Sequence, residues 1–274
     1  VRVLVTNDDG IDSQGLHVLA GALLPLADVV VVAPDTEYSG AGAALGPLQQ
    51  IRPEIHRRTL DGIEETWAVS GPPALCVYYA RLGVFGPPFD LIVAGINPGA
   101  NVGRSVYHSG TVGAALTARL GGVSGLAVSQ AVKGFGIEGQ GWDEMLEGQR
   151  WETAAEVARV VVASMLAEPP SEPVVVNLNV PNLPLGELHG WRSTRLGPVP
   201  PRSAASATLE PKIGYPGSYR VRMQWGAPAT LPEDTDGGAV ERGFVSLTLL
   251  DAIHEADPAT TPQIDAALDT LLGN

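Results

Sequence analysis

Two short runs in this chain, Val29-Val30-Val31-Val32-Ala33 and Leu91-Ile92-Val93-Ala94-Gly95, are apolar without alternation. A strand of that kind keeps both faces out of water. That is the situation of a parallel sheet covered by helices on each side. Residues 2–6, 28–33, 90–94, 126–129 and 174–180 read as strands. Residues 15–24, 72–82, 111–120 and 150–166 read as helices between them. The helix over 150–166 has the clearest period: Trp151, Ala154, Ala155, Ala158, Val161, Val162 and Met165 share one face, with Glu152, Glu156 and Arg159 off it. Strand–helix alternation with right-handed crossovers implies a doubly wound, mostly parallel α/β sheet.

The character changes after Pro181, where Pro and Gly become dense. Residues 219–225 (Tyr-Arg-Val-Arg-Met-Gln-Trp) alternate and read as a half-exposed antiparallel strand, and residues 244–250 as another. A C-terminal β-hairpin-rich extension is expected here. A terminal helix should follow, with Thr261 as N-cap, Pro262 at its first position, and Ile264, Ala267, Leu268, Leu271 and Leu272 on one face. The expected division is a core over 1–181 and an extension over 182–274 that completes the same domain.

Composition narrows the function. The 274 residues are 45% apolar, enough for a sizeable core. No apolar run approaches the roughly 18–20 residues of a membrane span. The N-terminus enters a strand without a signal-peptide pattern, so a protein that stays in the cytoplasm is expected. Cys76 is the sole cysteine, which excludes an internal disulfide and a thiolate zinc cluster. The net charge of −13, with only 17 Lys and Arg, disfavours nucleic acid as a partner.

Three loops follow predicted strands: Asn7-Asp8-Asp9-Gly10, the 34–42 loop with Ser39, and Asn97-Pro98-Gly99-Ala100-Asn101. In an open α/β sheet, ligands bind outside the carboxyl ends of strands near the switch point. Two carboxylates, a hydroxyl and amide oxygens would meet there, a hard-oxygen set suited to magnesium or manganese. Each piece alone is also an ordinary turn or loop, Asp9-Gly10 included; their convergence carries the functional reading. A fourth piece, Ser109-Gly110-Thr111, opens a helix of small residues, whose free N–H groups make an anion site or are simply capped by a hydroxyl. His108 abuts it, and packing or hydrogen bonding is its expected role. The first turn lacks G-x-G-x-x-G, and there is no Walker A or H-E-x-x-H sequence.

VLVTNDDGID, VVVAPDTEYSGAG, VAGINPGANVG and HSGTVGAA, in that order and spacing, resemble the survival protein SurE family of metal-dependent nucleotidases. EDTDGGAVERGFVSLTLL looks like that family's closing segment. The resemblance implies a Rossmann-like core and hydrolysis of 5′- or 3′-nucleoside monophosphates. It also implies one divalent metal held by Asp8, Asp9, Ser39 and Asn97, and a homodimer or homotetramer that exchanges a C-terminal hairpin. Leu75, Arg104, Ser105 and Thr117 stand where the family often carries acidic residues.

The mechanism expected is attack by a metal-activated water. Asp8, Asp9 and Asn97 act at the reacting centre, and Asn101, Ser109, Gly110 and Thr111 bind the phosphoryl oxygens. A haloacid-dehalogenase-like phosphatase needs a nucleophilic Asp two residues before its acid/base Asp, and here that residue is Asn7. A non-catalytic nucleotide sensor that retains the site is the alternative outside enzymes.

Overall fold

The computed structural model describes residues 1–46, 48, 52–132, 146–199, 201 and 203–251. In chain order, β1 (Arg2–Thr6), α1 (Gln14–Leu23) and β2 (Asp28–Pro34) come first. A hairpin of β3 (Ile55–Leu60) and β4 (Ile63–Val69) follows, then α2 (Pro73–Arg81) and β5 (Leu91–Pro98). A 3-10 turn over Gly103–Tyr107 leads into α3 (Gly110–Leu120) and β6 (Gly125–Gln130). Beyond these lie α4 (Trp151–Ala167), β7 (Val175–Val180), β8 (Trp191–Ser193), β9 (Ala204–Pro211), β10 (Tyr219–Trp225), α5 (Asp236–Glu241) and β11 (Val245–Leu250).

Nine strands form one sheet in the order β3-β4-β2-β1-β5-β6-β7-β11-β8. The central run from β4 to β7 is parallel. Antiparallel strands close both sides, β3 against β4 and β11 against β7. This is the mostly parallel α/β sheet expected. The unbroken apolar runs explain it: Val3 and Val5 face one layer, with Val31, Ala33 and Val93, while Leu4, Val30, Val32, Ile92 and Ala94 face the other. α1 and α4 supply one covering layer through Leu16, Leu19, Leu23, Trp151, Ala154 and Ala158. α2 and α3 supply the second through Cys76, Val77, Ala80, Ala114 and Ala118. The face predicted for residues 150–166 is the one α4 buries, with Val161 and Met165 at its margin.

Two features differ from the sequence expectation. The β3–β4 pair was not anticipated. Its outer strand, Ile55-His56-Arg57-Arg58-Thr59-Leu60, is exposed through its middle, so it carries no apolar periodicity to read. Beyond residue 181, the β9–β10 hairpin forms its own two-stranded sheet, but β8 and β11 join the main sheet. A parallel match of Val245 to Trp191 docks β8 onto β11. The terminal helix predicted from Thr261 lies outside the described residues. Among the described residues, no helix is long and apolar enough to cross a membrane.

Candidate active site

β1 is the switch point. Its neighbours are β2 on one side and β5 on the other, and all three run parallel. The loops leaving them therefore emerge at one edge of the sheet. Asp8 and Asp9 follow β1, Ser39 lies in the loop after β2, and Asn97 is the penultimate residue of β5.

The turn after β1 is held from inside. Asn7 is fully buried, and its Nδ2 donates to the Gly10 carbonyl at 3.0 Å and to Ser13 Oγ at 2.6 Å. The Tyr38 N–H donates to the Asp8 carbonyl at 2.7 Å, and the Ile11 N–H to the Pro34 carbonyl at 2.8 Å. These bonds pin the β1 and β2 loops together.

The Asp8 carboxylate is 3% exposed. The Thr111 hydroxyl donates to its Oδ1 at 2.5 Å, and the Gly110 N–H to its Oδ2 at 3.1 Å. The anion at the N-terminus of α3 is thus Asp8 itself. Close approach requires a glycine: a Cβ on Gly110 would stand 2.7 Å from Asp8 Cβ and 2.8 Å from Oδ2. Ser109 caps the helix, its Oγ accepting from the Val112 N–H at 3.1 Å, which leaves its proton to donate. So of the four donors assigned to a phosphate from sequence, Gly110 and Thr111 are turned to Asp8. A helix N-terminus favours negative charge without specifying which, and a carboxylate from β1 reaches it first.

Burial raises the pKa of both aspartates. For Asp8, desolvation outweighs the Thr111 and Gly110 hydrogen bonds. Asp9 is pushed up to about 8 by desolvation, then by the charges of Asp8 and Glu37. Its Oδ2 is buried with no hydrogen-bond partner. Among the described residues, neither carboxylate has an ion pair. Adjacent carboxylates, Asp8 buried and Asp9 half-buried with its Oδ2 orphaned, lack a positive charge. A divalent cation fits that lack. At the end of β5, Asn97 Nδ2 donates to the Gly99 carbonyl at 2.7 Å, which leaves Oδ1 as its free acceptor. Ser39 Oγ donates to Glu37 Oε1 at 2.8 Å. Among the described residues, no three His, Cys, Asp or Glu side chains gather as a metal cluster.

Sequence reasoning missed several residues. Glu37 is one; its acidic charge two positions before Ser39 was the available signal. Asn177, Asn179 and Ser129 are fully buried on β7 and β6 and bind the Asn101 loop. The Asn101 N–H donates to Asn179 Oδ1 at 2.8 Å, and its carbonyl accepts from Asn177 Nδ2 at 2.9 Å and Asn179 Nδ2 at 3.1 Å. The Asn101 side chain meets Ser129 Oγ at 2.9 Å. Two asparagines at alternate positions of a buried strand were the readable sign. Cys76 is buried, its thiol pushed well up by desolvation, in keeping with a packing role. His108 is exposed, and its carbonyl accepts from the Gly42 N–H at 3.0 Å.

The family profile described as "Survival protein SurE" matches residues 3–201. A protein of Haemophilus influenzae (strain PittGG) named "5′-nucleotidase SurE" is 37% identical over 256 residues, covering 92% of each chain. One of the same name from Aeromonas hydrophila is 36% identical, over 91% of this chain and 92% of that one. The crystal structure of the Sure protein from Aquifex aeolicus superposes with a TM-score of 0.74 at 30% identity, covering 98% of this chain and 100% of that one.

Proposed function

Because this chain belongs to the SurE survival-protein family, we propose that its sheet edge is the active centre of a 5′-nucleotidase, a phosphoric monoester hydrolase that depends on one divalent metal. The observation that carries the metal dependence is the Asp8–Asp9 pair, Asp8 buried and Asp9 half-buried, with Asp9 Oδ2 out of water and unpartnered.

Asp8, Asp9, Ser39 and Asn97 would hold the cation, magnesium or manganese by the hardness of these oxygens. When bound, it supplies Lewis acidity toward a phosphoryl oxygen and toward a water. The protein's own part is orientation and charge. Gly110 and Thr111 hold the Asp8 carboxylate in one rotamer from the N-terminus of α3. Asn97 is oriented by its bonds to Pro98 and Gly99, so that its oxygen faces away from its own loop. Asn101 and the Ser109 hydroxyl are the donors left for phosphoryl oxygens, where they stabilise negative charge developing in the transition state. Presenting Asn101 Nδ2 to an anion requires its Oδ1 to accept from Ser129, an amide orientation that the hydroxyl permits equally well.

The aspartyl-phosphate alternative is disfavoured further by Asn7, whose amide is engaged in holding the turn. The substrate is a nucleoside 5′-monophosphate, with 3′-monophosphates and short polyphosphate as secondary candidates. The β9–β10 hairpin is exposed along its whole length, Leu209, Val221 and Met223 included, and is the candidate arm for a homodimer or homotetramer.

The test is phosphate release from AMP by chelator-treated enzyme, then with manganese or magnesium restored, alongside manganese binding followed by electron paramagnetic resonance. The expected result is loss with EDTA, return with metal, and loss of the bound-manganese signal in Asp9→Asn. Full turnover in a metal-free preparation would defeat the reading.

A further inference from the structure

Along the same edge, beyond the loop that carries Ser39, lies a cavity of about 290 Å³. The β2 loop, the end of β4 and the start of α2 enclose it. Leu45, Leu48, Pro72 and Leu75 supply its apolar wall. Among the described residues, two polar side chains line it, Tyr38 and Ser70. None of the described lining side chains is charged, a setting for an apolar group more than for a phosphate.

Its position relates it to the catalytic edge. Tyr38 precedes Ser39, and its N–H is bonded to the Asp8 carbonyl at 2.7 Å. β4 lies two strands from β1, across β2, a lateral distance of about 10 Å. That is the reach of a nucleoside monophosphate from phosphorus to base. In doubly wound sheets a nucleotide lies across the carboxyl ends of the strands in this way.

We propose that this cavity receives the base of the substrate, through apolar contact and the Tyr38 ring. The inference rests on the nucleotidase reading and deepens it. It also sets the specificity. Distinguishing one base from another by its edge requires buried donors and acceptors at fixed places. The described lining offers two hydroxyls, and Ser70 Oγ already accepts from the Glu54 N–H at 3.0 Å. The cavity therefore rewards the apolar area of the base more than its edge pattern. Purines are favoured over pyrimidines, and adenine is scarcely separated from guanine. Leu75, 2% exposed, forms part of the wall where an acidic side chain would favour bases that present donors.

The test uses the full chain with metal supplied, comparing AMP, GMP, CMP and ribose 5-phosphate, which lacks a base. The expected order of kcat/KM is AMP and GMP within about threefold, CMP below them, and ribose 5-phosphate about tenfold or more below AMP. Leu48→Asp, which puts a charge at the exposed side of the cavity, should bring the AMP to ribose 5-phosphate ratio toward one. A wild-type ratio near one would overturn the proposal whether or not the variant folds. So would an unchanged ratio in folded Leu48→Asp. Should the wild type release phosphate from no substrate, it is the nucleotidase reading that fails. Adenosine binding by calorimetry, and its loss in Leu48→Asp, then still decides the cavity.

Discussion

Asp9 is costly to keep charged, which makes it the most informative residue to perturb. An ordinary carboxyl titrates near 3.8, and folding moves this one up to about 8. Between those values the unfolded chain has released a proton that the folded one retains, so rising pH favours unfolding. The stability is present in full below about pH 4 and is lost as pH climbs toward 8. Metal-free protein should therefore melt at progressively lower temperature across that window. Asp9→Asn should flatten the profile, and added manganese should raise the wild-type melting temperature most at the alkaline end. Scanning calorimetry with and without chelator checks this; a flat metal-free wild-type profile would contradict it. Thr111 gives a second prediction. Thr111→Val keeps the shape but removes the proton donated to Asp8, and activity should fall about 10- to 100-fold. Thr111→Ser should restore most of it. The acidic pair was legible in sequence because it ends an apolar strand. The partners of its first member were not, since Gly110 and Thr111 lie 102 and 103 residues away.

At the scale of elements, the site is a helix end pressed against a strand end. Gly110→Ala should keep α3 helical, because alanine favours helix, yet displace its N-terminus from Asp8. A shift approaching 1 Å would cost on the order of 100-fold in kcat/KM, with circular dichroism unchanged. β7 acts differently, through asparagines that reach up to the Asn101 loop. Asn179→Ala removes an acceptor and a donor from that loop, so KM for AMP should rise about tenfold. Manganese affinity should stay as in the wild type, separating phosphate binding from the metal site. The helices and central strands of the core were readable because burial on both strand faces, or one helix face, leaves a periodic trace. β3 left none, being exposed at the sheet's edge. The Asn177–Asn179 pair contradicted its strand's apolar pattern, and only the Asn101 backbone explains it.

For the whole molecule, the exposed β9–β10 hairpin stands outside the main sheet as a two-stranded sheet of its own. Removing residues 204–225 with a short linker in their place should lower the subunit count measured by light scattering if the hairpin is an exchanged arm. An unchanged subunit count would exclude that role. The order of the main sheet has a consequence in time. β1 is made first and lies near the middle, while β11, made about 240 residues later, sits between β7 and β8. Asp8 leaves the ribosome early, and its Gly110 and Thr111 partners are made only after β5, the strand that lies beside β1. Contacts so distant along the chain slow folding. During refolding, helical signal should return well before the capacity to bind manganese, so that this enzyme is born structured and becomes competent last.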